Sequence, residues 1–453
     1  MTHTKYTYRH IVRLTVEAET PIAIGTGKAS DIITDAPVIK DINGLPYIPA
    51  TSIAGILRDA MVLKDNNDGN IFGYLGSDNS GHGSEIIFTD AVMVGKSGEV
   101  LDGTHSIDWT DDFYKAYQAM PVRQHVRISD KGTAENTGKF DNQVVYKGTR
   151  FVFEIELLSY NNDDGNFKEA IKQMYDSTLR IGGGTRKGYG KLRVIDCQQA
   201  KIDLTNDDDL NKYLAKSSSI AMPWDGFKPI LDNKEHYDTE KWVKYELTLS
   251  PLDFFMFGSG MGDADVDNTY VTEKVVKWDN EGKPSFAEAH VLIPGSSVKG
   301  ALSHRTAYNY NKYCGYYVGN DKAKVGGDNL AVATIFGKVG KDGKEITRGN
   351  LLISDVIEDD KAIDKVLFHS KIDQFTGRTI DGALFQEKSV YGNGRQYTFE
   401  ILVKAEAIEA EAIREAFERT LKDVCEGILP LGGVTNRGNG IFTGTVTKNG
   451  TEL

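Results

Sequence analysis

The chain has 453 residues, 40% hydrophobic and 26% charged, with a net charge of −12. That length is too great for one core and fits two domains of roughly 200 residues, while the composition is that of an ordinary globular protein. No apolar run of about 18 residues exists to span a membrane, the first ten residues lack a signal peptide's apolar core, and the scattered Cys197, Cys314 and Cys425 show neither metal spacing nor a disulfide framework, so a cytoplasmic location is expected.

In chain order, alternation predicts a strand over 11–18, a glycine turn at 25–27, a second strand over 36–40 and a turn at Asn43-Gly44. Pro49 then leads into a helix whose Thr51 and Ser52 suit N-capping. A short strand over 85–89 follows, then a polar excursion from 120 to 147, a strand over 151–157 and a helix over 167–179. A glycine-rich loop, Ile181-Gly-Gly-Gly-Thr-Arg-Lys-Gly-Tyr-Gly190, enters the closing strand.

The same order then repeats. A strand at 245–250 is followed by a glycine turn at 258–260 and a helix entered through Pro294. Next come a short strand at 350–354, a polar excursion at 366–394, a strand at 397–403 and a helix at 407–421. The second unit closes with Leu431-Gly-Gly-Val-Thr-Asn-Arg-Gly-Asn-Gly440. Gly182 and Gly432 lie 250 positions apart, Ser52 and Ser297 245, Phe72 and Phe336 264, and Asp90 and Asp355 265. Four landmarks in one order mark a tandem duplication. The reading is α+β with domains at 1–200 and 241–453, joined by a polar segment at 201–240.

Three features carry chemistry. Loops with few Cβ atoms bring backbone amides close to a phosphate, and Thr185, Arg186, Lys187 and Arg437 add polar and charged groups; the alternative is a tight turn into a strand. The helix starts carrying Ser52 and Arg58, and Ser296, Ser297 and Lys299, present hydroxyls and cations to an anion; the alternative is simple capping. Asp31 and Asp35 sit on a polar loop where a carboxylate binds a divalent ion or orients a hydroxyl; the alternative is a solvated turn. The acidic net charge weighs against non-specific binding of a polyanion, so the isolated chain is expected to bind one poorly.

Thr20-Pro-Ile-Ala-Ile-Gly-Thr-Gly, Pro37-Val-Ile-Lys-Asp, Gly44-Leu-Pro-Tyr-Ile-Pro, the Ser-containing helix start, Ile71-Phe-Gly, Phe88-Thr-Asp and the glycine loop together resemble the RAMP superfamily, the RNA-binding subunits of type III CRISPR effector complexes. The resemblance implies two ferredoxin-like (RRM-like) domains, each with an inserted thumb hairpin. It implies guide RNA, target RNA and other effector subunits as partners, and no membrane. It also implies target cutting by transesterification with a divalent metal, Mg2+ or Mn2+, beside a loop aspartate, which by position is Asp35.

The polar excursions are then the thumbs, with Arg123, His125 and Arg127 on the first and Lys371 and Arg378 on the second. The second unit departs from the pattern: counting forward from Gly260 selects Asp267, and counting backward from Gly282 selects Glu273. Two other readings remain, a non-catalytic structural or capping subunit and a stand-alone guide-processing endoribonuclease. The last needs a histidine acid/base. His125 and His304 are the candidates, and neither is matched by sequence in the other unit.

Overall fold

A computed structural model describes residues 6–27, 34–62, 71–75, 81–230, 234–317, 319, 321, 324–339, 346–358 and 361–453. Asp31 lies outside the described residues. The protein is α+β.

The first unit contains β1 (Tyr8–Ala18), α1 (Ala50–Val62), β2 (Ile86–Phe88), α2 (Asp112–Gln118), β3 (Val122–Ile128), β4 (Ala134–Gln143), β5 (Arg150–Ser159), α3 (Gly165–Gln173), β6 (Leu192–Asp203) and α4 (Asp207–Leu214). The second contains β7 (Trp242–Pro251), α5 (Gly295–Tyr313), α6 (Leu330–Phe336), β8 (Leu351–Ile353), β9 (Asp364–Ile372), β10 (Thr379–Tyr391), β11 (Tyr397–Lys404), α7 (Glu411–Cys425) and β12 (Phe442–Lys448).

Each unit folds an antiparallel sheet in the same spatial order, β6-β1-β5-β2 and β12-β7-β11-β8. Period-two alternation sets the register. Leu14 lies opposite Phe153 and Cys197, and Leu247 opposite Phe399 and Val446, so one face of each sheet is apolar. Ile53 and Leu57 of α1 and Phe167 and Ile171 of α3 close the first core. Val298 and Leu302 of α5 and Phe417 and Leu421 of α7 close the second.

The opposite face of the first sheet is covered by the segment after β6. Arg13 pairs with Glu154 at 2.7 Å and donates to the Met222 carbonyl, while Lys216 also reaches Glu154 at 2.7 Å. Residues 201–203 therefore close β6, and the chain after them crosses its sheet. Among the described residues no helix is long and apolar enough to cross a membrane.

The units interlock. Val276, from the second unit, is buried in the first core, and Phe286 packs against Phe113, Tyr117 and Tyr146 at 4.7–5.6 Å between ring centres. Trp278 donates to the Gly148 carbonyl at 2.7 Å and receives the Arg150 guanidinium on its ring at 4.0 Å. Gly148 has φ +88°, and a Cβ there would lie 2.0 Å from the Val276 carbonyl oxygen, so only glycine admits this approach.

Several predicted elements move. Residues 36–40 form isolated bridges, Gly25 to Val38 and Lys40 to Pro46, and no strand, because Pro37 has no N–H and Val38 donates to the Gln143 side chain. The helix expected over 167–179 starts at Gly165, capped by Asp164, and ends at Gln173. The one expected over 407–421 runs from Glu411 to Cys425, after a short 3-10 turn.

Candidate nucleic-acid interface

Both polar excursions are antiparallel hairpins. In the first, β3 and β4 pair His125 with Phe140; in the second, β9 and β10 pair His369 with Phe385. The cross-strand rings stack alike, at 5.0 Å and 18° in the first and 4.9 Å and 22° in the second. A cation from the glycine loop sits over each phenyl ring, Lys187 at 4.4 Å and Arg437 at 4.8 Å. His369 thus matches His125, which sequence comparison could not find. The two residues of each ring pair are separated by turns that differ by one residue, so no fixed spacing marks them.

The histidines differ in their partners. His125 Nε2 lies 3.1 Å from the Tyr189 hydroxyl, and burial, with Lys187 beside it, pushes its pKa down to about 4. His369 Nε2 lies 2.8 Å from buried Glu387, which also meets Arg437 at 3.2 Å.

Beside each hairpin lies an exposed aspartate. The Asp141 amide donates to the Asp35 carboxylate at 3.1 Å, and the Asp35 amide donates back to the Asp141 carboxylate at 2.8 Å. That bond, with one from Thr34, holds the Asp141 carboxyl below its ordinary range. In the second unit the Gln386 amide donates to the Asp267 carboxylate at 2.8 Å, and the Asp267 amide reaches the Gln386 carbonyl at 3.1 Å. Asp141 and Gln386 each follow the stacked phenylalanine, so Asp35 and Asp267 occupy equivalent positions. Glu273 does not: it is 4% exposed and paired with Arg123.

Arg123 is itself buried, so the side chain expected to meet RNA is turned inward. Its guanidinium donates to both Glu273 oxygens at 2.6 and 2.8 Å and to Asp355 at 2.9 Å, joining the units. Arg127 stays exposed on β3, 3.6 Å from Glu135. Lys371 and Arg378 are exposed along the second hairpin.

The glycines act differently from the expectation of a phosphate cradle. The Gly183 amide donates to the Ala23 carbonyl at 2.6 Å and the Gly433 amide to Met256 at 2.7 Å; Gly190 and Gly440 donate to Pro21 and Phe254. A Cβ at Gly190 or Gly440 would lie 2.1 Å from the carbonyl of Ile181 or Leu431. These residues fix a tight turn against the protein's own backbone, and the cations of the loop already have partners in the protein, Arg186 on the Gly349 carbonyl, Lys187 over Phe140 and Arg437 on Glu387.

Capping also differs. The amide of Ala50, the first residue of α1, donates to Asp90, and that of Gly295, the first of α5, donates to Asp355, both at 2.7 Å. A carboxylate two residues past β2 or β8 therefore takes the place expected for Ser52 and Ser297, and it meets the positive helix end first. Ser52 and Ser296 are half-buried and Ser297 is exposed, while Arg58 donates to the Gly73 carbonyl at 3.2 Å.

At the junction the structure does gather expected residues. Arg186 Nε donates to the Gly349 carbonyl at 2.8 Å, which brings the first glycine loop to the second unit. Burial lowers the Lys299 pKa to about 8, helped by the charges of Arg186 and Lys187. Burial likewise lowers Arg186 to about 10, with Arg348 contributing. Arg348, absent from the sequence reading, meets Asp59 at 3.9 Å. Lys299, Arg186 and Lys187 are each held at a cost to the charged form, chiefly by burial, which makes a site that an anion stabilises.

A phosphate held here would restore the Lys299 proton, so its affinity would be full below the lysine's pKa of about 8 and would fall as pH rises through it. RNA binding followed from pH 6.5 to 9.5 is expected to weaken by up to about tenfold per unit at the alkaline end. Lys299→Arg should flatten that limb.

The sequence profile of the RAMP superfamily matches residues 15–193 and 289–443, one stretch in each unit. A protein of Methanocaldococcus jannaschii named CRISPR system Cms endoribonuclease Csm3 is 28% identical over 206 residues, covering 40% of this chain and 76% of the relative. The protein of the same name from Methanothermobacter thermautotrophicus is 24% identical over 208 residues, covering 42% and 84%. Since the profile takes in most of both units, the chain belongs to the RAMP superfamily.

Proposed function

We propose that this chain is a fused two-unit backbone subunit of a type III CRISPR effector, binding guide RNA and cutting the paired target at two places. Each unit is read as a ferredoxin-like module, and each hairpin as a thumb between nucleotides; the shared strand order, fourth-first-third-second in chain sequence, supports this. One observation carries the reading: an exposed aspartate, a hairpin with a His–Phe stack and a loop cation recur together in both units. The relatives' name, endoribonuclease, agrees with it.

The donor set suits a hard divalent ion in the mode that Mg2+ favours, with one or two carboxylates and the remaining positions left to substrate and water. Asp35 and Asp141 would hold it in the first unit and Asp267 in the second, and it would stabilise charge on the scissile phosphate. Among the described residues no cluster of three or more acidic, histidine or cysteine ligands exists, so the RNA has to complete the shell. The chain's own residues do the positioning. The junction cations hold the sugar-phosphate backbone, the hairpins splay the paired strand, and the aspartates face the 2′-hydroxyl, which gives up its proton and attacks the adjacent phosphate as the P–O5′ bond breaks, leaving a 2′,3′-cyclic phosphate and a 5′-hydroxyl that takes up a proton from solvent.

Other effector subunits complete the RNA path. The assembled complex given end-labelled target complementary to its guide, with Mg2+ or Mn2+, is expected to yield two cuts per chain on a denaturing gel. Target that is bound and left whole would return the chain to a structural role.

A further inference from the structure

A cavity of about 550 Å³ opens beside the last turns of α5, and neither the aspartates nor the junction cations are among its lining residues. Its wall carries Tyr308, Tyr316 and Tyr317, which are 54%, 49% and 89% exposed. Two of the rings already have a cation over them, Arg305 above Tyr308 at 4.7 Å and Lys324 above Tyr316 at 5.1 Å. His304 and Lys312 line the same space, and Asp130, from the turn of the first unit's hairpin, closes it from across the junction.

α5 runs for 19 residues, Gly295–Tyr313, and its last turns carry Tyr308 and Lys312. Tyrosines this exposed do not serve the core, and their grouping around a concave space is what a planar ligand requires. The volume lies within the range of small-molecule sites and holds one nucleotide. Aromatic faces accept any base by stacking, and flanking lysine and arginine accept its phosphate. A docking helix of another protein would need a longer, more apolar groove.

We infer that this cavity binds a nucleotide of single-stranded RNA. Tyr308 and Tyr317 stack its base, Lys312 meets its phosphate, and Asp130 faces its polar edge. A free nucleotide offers the same chemistry, so the test separates the two sources.

The full chain is mixed with a hexauridylate carrying 4-thiouridine, irradiated, and digested for peptide mapping. Cross-linking to the 304–317 peptide is expected. It should fall at least tenfold in Tyr308→Ala/Tyr317→Ala and persist in Tyr308→Phe/Tyr317→Phe, which keeps the rings. Competition by AMP at concentrations matching the oligonucleotide's own affinity would assign the cavity to free nucleotides; failure to compete assigns it to a strand. A wild-type chain that does not cross-link at this peptide, or an alanine variant with unchanged yield, overturns the inference. Asp35→Ala/Asp267→Ala should leave the cross-link intact, so a failure of the cleavage reading is told apart from a failure here.

Discussion

Asp35→Ala is expected to abolish one of the two cuts in guide-paired RNA and spare the other, and Asp267→Ala to do the reverse. The loss at each site should be on the order of 10²–10³-fold in rate, the size found when a group aimed at developing transition-state charge is removed. Both side chains are exposed, and each accepts a single backbone amide, from Asp141 and from Gln386. Removing either costs about one hydrogen bond at the surface, so folding and guide binding should survive. Asp35→Asn sharpens the test, because the amide oxygen still accepts from Asp141 while the negative charge is gone. If the asparagine variant cuts at the normal rate, Asp35 positions the hairpin and does no chemistry. Equal cutting by the double alanine variant would sink the assignment in both units.

What the sequence made legible was local. Alternation in residues 11–18, 151–157 and 397–403 marked strands because one face of each must be apolar, and the paired glycine loops revealed the duplication. The aspartate pair was half legible. Asp35 sits before an easily recognised segment, whereas Asp267 and Glu273 compete by counting; in the fold Asp267 takes the amide of Gln386 as Asp35 takes that of Asp141, and Glu273 is paired with Arg123. The rest depends on residues distant in sequence. Arg123 meets partners 150 and 232 positions away, and His125 meets Phe140 across a hairpin whose length differs between the units. Residues 276–286 lie in the second half of the repeat, yet Val276 is buried in the first core and Phe286 packs against it. Asp90 and Asp355 stood among the repeat landmarks, and their role as caps appears only once the helix starts lie beside them.

Arg123→Ala should be the most destabilising single substitution at the junction. It leaves Glu273 and Asp355, both buried, facing each other with no cation between them. Breaking a buried pair in this way costs about 3–5 kcal/mol, which chemical denaturation can read directly. The loss should depend on pH with a definite sign. Burial already holds the Asp355 carboxyl above its ordinary pKa while Arg123 pulls it down, so removing the arginine raises it further. A carboxyl raised in the folded state lowers stability above its unfolded pKa, and the penalty fades as pH falls toward about 4. The gap between variant and wild type should therefore be widest at neutral pH and narrow under acid. Adding Glu273→Ala should recover part of the loss, since it removes one of the stranded charges. Asp355 also accepts from the first amide of α5, the helix that carries Lys299, so the same variant should weaken RNA binding at the junction. Additive effects of the two alanine substitutions would mean that the ion cluster is not one coupled unit and that the halves are held chiefly by Val276, Trp278, Phe286 and the Arg186–Gly349 bond.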